Sequence, residues 1–187
     1  DAFITKLSSL TNISNTSKFQ ITYTTTGAAI SLSQAAVLAG KTGKTGGAAI
    51  DFAGGISGAS SAFVSGSDTS TAYTAVLAKD SNVNVELSDT IEDATDITAL
   101  NIVDTGGGSG GNTTGTTGTV TATVSTTASL ATSIATVNAN TTVKINSGAL
   151  DLDQYNTLND TTSNTVNLTP AGSTATITDS LSDFGSK

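Results

Sequence analysis

A pattern that occurs three times along the chain sets the strongest constraint on its fold. In its first half, the last apolar residue of a predicted helix precedes the first residue of an alternating strand by six positions. The three pairs are Ile13 and Phe19, Leu77 and Val83, and Val137 and Val143. Apolar residues three or four positions apart share one face of a helix, and alternating residues share one face of a strand. We therefore expect the same helix–strand unit in three places.

The second half of the pattern is an octapeptide that also occurs three times. The segments 31–38, 93–100 and 151–158 align without gaps, and all three end in Leu. Each begins with Ser or Asp, whose side chains accept hydrogen bonds from the free N–H groups at a helix start. Two strands are predicted after each octapeptide. They cover 50–52 and 62–64, then 101–103 and 120–124, and finally 166–168 and 174–178.

One module therefore contains a helix, a strand, a helix and two further strands. We place module 1 at 1–67, module 2 at 68–118 with a Gly- and Thr-rich loop at 105–118, and module 3 at 119–178; residues 179–187 begin a truncated fourth. Repeats of this length are typical of stacked units that cannot bury their apolar face alone. The predicted fold class is mainly β with short helices, in a solenoid-like stack, with a β-sandwich as the alternative.

The composition excludes several classes of function. Cysteine and histidine are absent, which removes disulfides, thiolate metal sites and the commonest general base. The net charge of −8 repels phosphate backbones, so we expect no nucleic-acid partner. No apolar run approaches the roughly 18 residues of a membrane span. No signal peptide is visible, and since the chain starts inside a module we expect it to be processed or excised from a longer one.

Two short motifs resemble enzyme signatures but lack the required context. The loop from Gly40 to Thr45 contains Gly-Lys-Thr twice, but a phosphate-binding loop needs a further Gly where Leu38 or Ala35 stands. Asp104, in Asp-Thr-Gly, resembles an aspartic protease signature, which requires two such carboxylates. This chain has one copy, so we interpret Asp104 as the end of a strand that leads into a turn; the alternative is a protease in which a homodimer supplies the second carboxylate. We expect no enzyme, no catalytic residue and no cofactor-binding residue.

Carboxylates near helix starts are the candidate metal ligands. Asp151 with Asp153, and Asp179 with Asp183, are the pairs that we predict as calcium ligands, because calcium prefers clusters of oxygen atoms. The Gly-Asp nonapeptide of calcium-binding toxin repeats and the EF-hand loop are both absent. The alternative is that these carboxylates cap helices or are solvated.

Two further patterns concern the surface. Asn-x-Ser/Thr sequons are acceptors for glycans in an exported protein, although a chain this rich in Ser and Thr contains them by chance. They stand at Asn12, Asn15, Asn112, Asn140, Asn159 and Asn167. Two Thr-x-Thr runs place threonines on one strand face, as in ice-binding β-solenoids. They comprise Thr119, Thr121 and Thr123, and Thr174, Thr176 and Thr178.

The capped octapeptides at 31–38 and 151–158, the Thr/Val strands and the Ser-Asp-Thr turn at 88–90 resemble the degenerate repeats of very large secreted bacterial surface proteins. These include surface-layer and adhesin-like proteins, many from cyanobacteria and proteobacteria. The resemblance implies an extracellular, structural role at the cell surface, often assisted by calcium. We therefore expect a module that polymerises with copies of itself into a surface layer or filament. The alternative is an adhesin arm that binds carbohydrate, mineral or ice.

Overall fold

A computed structural model of the protein describes residues 6, 21–23, 28–41, 50–107, 114–134, 139–161, 166–167 and 176–177. The strands are β1 (Ile21–Tyr23), β2 (Ile30–Ser31), β3 (Ile50–Phe52), β4 (Ile56–Gly58), β5 (Val64–Ser65), β6 (Asp68–Thr69), β7 (Val85–Ile91), β8 (Val120–Thr127), β9 (Ala139–Ser147), β10 (Ala149–Leu150), β11 (Val166–Asn167) and β12 (Thr176–Ile177). The helices are α1 (Leu32–Ala39), α2 (Ser60–Phe63), α3 (Thr71–Leu77), α4 (Ala94–Thr105), α5 (Ala128–Ala131) and α6 (Leu152–Thr161).

Six strands form the main sheet, in the order β2-β4-β7-β8-β9-β11. Every neighbouring pair in it is parallel, and the order follows the chain without a reversal. Two short parallel pairs, β1–β3 and β10–β12, and the antiparallel pair β5–β6 lie outside this sheet. The architecture is therefore mixed α/β, with short helices on an open parallel sheet. This mixed α/β architecture differs from the predicted alternative of a β-sandwich. Within the described residues, the core contains side chains of the helices and also of the short strands β3 and β10, including Ile50, Phe52 and Leu150.

The main sheet has one covered face and one open face. Alternate residues of β7 and β8 are buried, and they include Val85, Leu87, Val120, Ala122 and Val124. The residues between them, Glu86, Ser88, Thr121 and Thr123, are exposed. Crossovers between parallel strands are right-handed, so a strand order that never reverses places all the crossover helices on the same face. The core lies between that face and the helices.

Each strand of the main sheet, together with the chain up to the next strand, forms what we call a βα unit. Residues that pair in neighbouring strands of the main sheet are separated along the chain by a step of 19 positions (Val120 to Ala139) to 35 positions (Val85 to Val120). This step is shorter than a predicted module. Modules 1 and 3 therefore each contain more than one strand of the sheet.

The helices predicted at the three octapeptides are confirmed, and so are their caps. Ser31 accepts a hydrogen bond from the Gln34 N–H (3.3 Å), and the Gln34 side chain accepts one from the Ser31 N–H (3.1 Å). Asp93 accepts hydrogen bonds from two N–H groups at the start of α4 (2.8 and 3.0 Å). Because these signals act within one helical turn, the local sequence was sufficient to locate them.

The predicted strand at 101–103 is wrong, because these residues belong to α4. Ile97, Leu100 and Val103 are spaced three apart, and all three are buried in the core. This stripe extends the helix that Asp93 caps until Gly106, whose φ of 89° ends it.

Two shorter predictions also need correction. Residues 60–63 form α2, so only Val64 remains from the strand predicted at 62–64. The Ser-Asp-Thr turn at 88–90 lies inside β7, where the pairing with β8 shifts register. The predicted helix that ends at Ile13 lies outside the described residues. Helix α5 ends at Ala131, six positions before the predicted helix end at Val137, which itself lies outside the described residues.

Candidate functional site

Asp151 and Asp153 stand at the start of α6. The Asp151 carboxylate accepts a hydrogen bond from the Gln154 N–H (2.7 Å), and the Gln154 side chain accepts one from the Asp151 N–H (3.0 Å). This reciprocal pair is a capping box. Asp153 is exposed in the first turn of the helix. One oxygen of Asp151 is therefore already used in capping, while the Asp153 carboxylate is open to solvent.

The second predicted pair, Asp179 and Asp183, lies outside the described residues. Within the described ranges, the structure brings no three carboxylates together in a group that could hold a metal ion. Calcium binding by these four residues therefore stays a prediction.

Asp104 lies in the last turn of α4 and is 7% exposed, so the predicted strand ending there is wrong. The neighbouring Val103 carbonyl accepts a hydrogen bond from the Tyr73 hydroxyl (2.9 Å). Burial, and then the charge of Asp104, raise the pKa of Tyr73 above its ordinary value. Gly115 packs so closely over this helix end that a Cβ there would lie 2.1 Å from the Asp104 carbonyl oxygen. Asp104 therefore belongs to a packed junction rather than to an open cleft.

Asp80 is a buried carboxylate that the sequence did not single out. It is 4% exposed and accepts hydrogen bonds from the Phe52 N–H (2.9 Å) and the Asn82 N–H (3.4 Å). Burial raises the pKa of Asp80, the two N–H groups oppose that rise, and nearby Asp51 adds to it. Burial also lowers the pKa of the adjacent Lys79. Asp80 thus joins β3 to the connection after α3.

Asp89 joins two βα units in a similar way. Helix α2 has Ala59 at its cap position, which provides no side-chain acceptor. Asp89, in β7, provides that acceptor. Its two carboxylate oxygens accept a hydrogen bond from the Ser60 N–H (2.8 and 3.0 Å), and one of them also accepts a hydrogen bond from the Ser60 hydroxyl (2.7 Å). The two residues are 29 positions apart, so no local pattern could have predicted the contact.

A cleft of about 430 Å³ lies at the carboxyl ends of β8 and β9, between the starts of α5 and α6. Its polar lining comes from Thr127, Ser129, Ser147 and Gln154, and none of the described residues that line it is charged. The cleft can form hydrogen bonds with a small neutral molecule.

The open face of the main sheet is rich in hydroxyl groups. It consists of the outward-facing residues Ser31, Ser57, Glu86, Ser88, Thr90, Thr121, Thr123 and Ser125. Backbone pairing aligns Ser31, Ser57, Glu86, Thr121 and Asn140 across five strands. Thr90, Thr123 and Thr142 align across three. The predicted exposure of Thr119, Thr121 and Thr123 is therefore confirmed, although Thr119 lies just before β8, and the tertiary structure adds Thr90 from a neighbouring strand. Thr174 and Thr178 of the second predicted run lie outside the described residues.

Comparisons of the chain with protein families, with curated proteins and with solved structures find no match. No helix in the described part of the chain is both long enough and apolar enough to cross a bilayer.

Proposed function

We propose that the chain is a structural, non-enzymatic module of an extracellular protein, which assembles with copies of itself into a cell-surface layer or filament. Its βα units form a solenoid-like stack. The observation that carries this proposal is the strand order of the main sheet, which is parallel throughout and follows the chain. Such an order adds each unit to the same side of the previous one, so a unit contacts only its neighbours.

Side-chain hydrogen bonds between neighbouring units support the stack. Asp80 bonds to Phe52, and Asp89 bonds to Ser60. Further on, the Thr116 hydroxyl donates to the Val83 carbonyl (2.6 Å), the Thr126 hydroxyl donates to the Glu92 carbonyl (2.8 Å), and the Asn101 amide donates to the Ser133 carbonyl (3.0 Å). The partners in these bonds are 28 to 34 positions apart. Polar contacts thus connect the neighbouring units that begin with β2, β4, β7 and β8.

Assembly is expected because a stack of parallel strands does not close on itself. Within the described residues, β2 and β11 occupy the two outer positions of the sheet. An outer strand presents backbone N–H and C=O groups that can pair with another chain. Calcium bound at Asp151, Asp153, Asp179 and Asp183 would reduce repulsion between copies of a protein whose net charge is −8.

Sedimentation velocity over a hundredfold range of protein concentration tests the proposal. We expect the mean mass to rise with concentration, and to rise further with millimolar calcium than with a chelator. The matched control replaces Asp151 and Asp153 by Asn, which keeps an N-cap acceptor while removing two charges. A protein that remains monomeric at every concentration, with and without calcium, contradicts the proposal.

An adhesin arm is the second candidate, and the uncharged cleft beside Gln154 favours it. Hydroxyl and amide groups both donate and accept hydrogen bonds, as the hydroxyls of a sugar do. A stable monomer whose Thr127, Ser129 and Gln154 resonances shift on addition of a neutral sugar would support this candidate over self-assembly.

A further inference from the structure

We infer that copies of this chain meet face to face through the open face of the main sheet, with that surface packed against its own counterpart. This inference rests on the proposed self-assembly and names the surface that produces the lateral contact. Parallel sheets almost always have both faces covered. Here the helices cover one face, and residues such as Thr121 and Thr123 leave the other exposed.

The distribution of charge favours a second copy as the occupant. Glu86 is the only carboxylate on the open face as defined above. Of the other carboxylates that the structure describes as exposed, Asp51 lies in β3, outside the main sheet, and Glu92, Asp93, Asp151 and Asp153 lie at helix starts. Two acidic copies repel each other least where they carry the least charge, and the core of a protein interface is normally depleted of charged residues.

The side chains of this face suit a close approach of two sheets. Seven of its eight residues are Ser or Thr, which are short and can hydrogen-bond to one another across a contact. Each such bond replaces bonds to water and contributes little by itself. With strands ~4.8 Å apart, the face covers roughly 400 Å² per copy. That area lies below what a stable dimer buries, so one contact is weak and only an assembly with several contacts per copy persists.

Engineered cysteines test this geometry, because the natural chain contains none. Thr121→Cys and Thr123→Cys, made singly, place a thiol on the open face; Thr98→Cys places one on the exposed side of α4. Under mild oxidation we expect covalent dimers from at least one of the first two variants and none from the third. Two thiols join only when their Cα atoms come within about 7 Å. Absence of dimers from both face variants, or equal dimer formation by Thr98→Cys, overturns the inference.

Sedimentation velocity of charge variants tests the face-to-face contact independently, because it measures how strongly the copies associate. Thr123→Glu adds a carboxylate to the face of both copies, and we expect it to weaken association roughly tenfold. Glu86→Gln removes the one carboxylate among the eight residues that define the open face and is expected to strengthen association. Thr98→Glu, on α4, is the control and should match the natural chain. All positions are exposed, and an unchanged circular dichroism spectrum and melting temperature show that the fold is retained.

The two proposals fail in different ways. If the natural chain polymerises but none of the face variants alters association or forms dimers, self-assembly stands and the face-to-face contact is wrong. If the natural chain stays monomeric and the face cysteines do not join, both are wrong.

Discussion

At the scale of single residues, the buried carboxylate of Asp80 shows how this fold uses its few charged side chains. Asp80 is 4% exposed, yet its oxygens accept N–H groups from Phe52 and Asn82, which belong to different segments of the chain. A buried N–H group without an acceptor costs about 1–3 kcal/mol. The residue therefore stabilises the junction through its acceptor atoms, while its charge opposes burial.

The first prediction separates these two roles of Asp80. Asp80→Asn keeps an oxygen acceptor for the Phe52 N–H, whereas Asp80→Ala leaves that group without one. We expect the Ala variant to have a free energy of unfolding about 1–3 kcal/mol below that of the Asn variant at neutral pH, measured by urea denaturation. Equal stability of the two variants would show that the hydrogen bond contributes nothing.

The raised pKa of Asp80 makes the stability of the natural chain, relative to Asp80→Asn, depend on pH. Its ionised form is disfavoured in the folded state, chiefly by burial, so the stability contributed by this group is fully present below the unfolded pKa of about 3.9. That contribution is lost as the pH rises through the folded pKa. The stability of Asp80→Asn relative to the natural chain should therefore increase from pH 3 upward and level off above the folded pKa. A difference that is constant over this range would contradict the shift.

At the scale of elements, the connection from α4 to β8 depends on glycines that no side chain can replace. The segment 114–118 packs against the chain before β7, and the Thr117 N–H donates to the Ser81 carbonyl (2.9 Å). A Cβ at Gly118 would lie 2.3 Å from the Asn82 oxygen and 2.6 Å from the Val83 oxygen. Both are backbone atoms, which cannot move aside without disturbing the strand. The low-complexity composition of this region thus reflects close packing where the structure describes it.

The second prediction compares two glycine substitutions. Gly118→Ala is expected to lower the free energy of unfolding by about 1–3 kcal/mol, because the added methyl group overlaps backbone atoms. Gly40→Ala is the control, since its Cβ would meet only ordinary contacts at 3.5 and 3.6 Å and its φ is −72°. We expect Gly40→Ala to be neutral or slightly stabilising, because alanine restricts the unfolded chain. Urea denaturation of both variants checks this, and equal destabilisation would contradict it.

At the scale of the whole molecule, a local loss of stability should affect the neighbouring βα units more than the distant ones. Leu100 of α4 is fully buried and lies in the core that α4 forms over the middle of the sheet. A protein whose units contact only their neighbours transmits a local loss of stability to adjacent units more strongly than to distant ones.

The third prediction uses Leu100→Ala, which should cost about 2–5 kcal/mol by creating a cavity. We expect amide hydrogen exchange to accelerate most in β7 and β8, with a smaller effect in α1 and β2. Thr98→Ala, on the exposed side of the same helix, is the control and should leave the pattern unchanged. Uniform acceleration throughout the chain would show a single cooperative core instead of coupled units.

Local sequence patterns were sufficient to predict those features whose partners lie within one helical turn or one strand. Ser31, Asp93 and Asp151 marked three helix starts because a cap bonds to N–H groups two or three positions away. The alternation of apolar and polar residues located β8 and β9, because residues two positions apart lie on the same face of a strand. The strand predicted at 101–103 was wrong because Ile102 and Val103 on their own suit a strand, whereas the spacing of the buried residues Ile97, Leu100 and Val103 continues the helix.

The tertiary structure decided the partners of Asp80 and Asp89, which lie 28 and 29 positions away. It decided which face of the sheet is open as well, since that depends on the order in which the strands pair. Local sequence fixes a residue's preferred backbone conformation and side-chain periodicity. Which segments meet across the fold depends on the burial of the whole chain, and no single window of sequence contains that information.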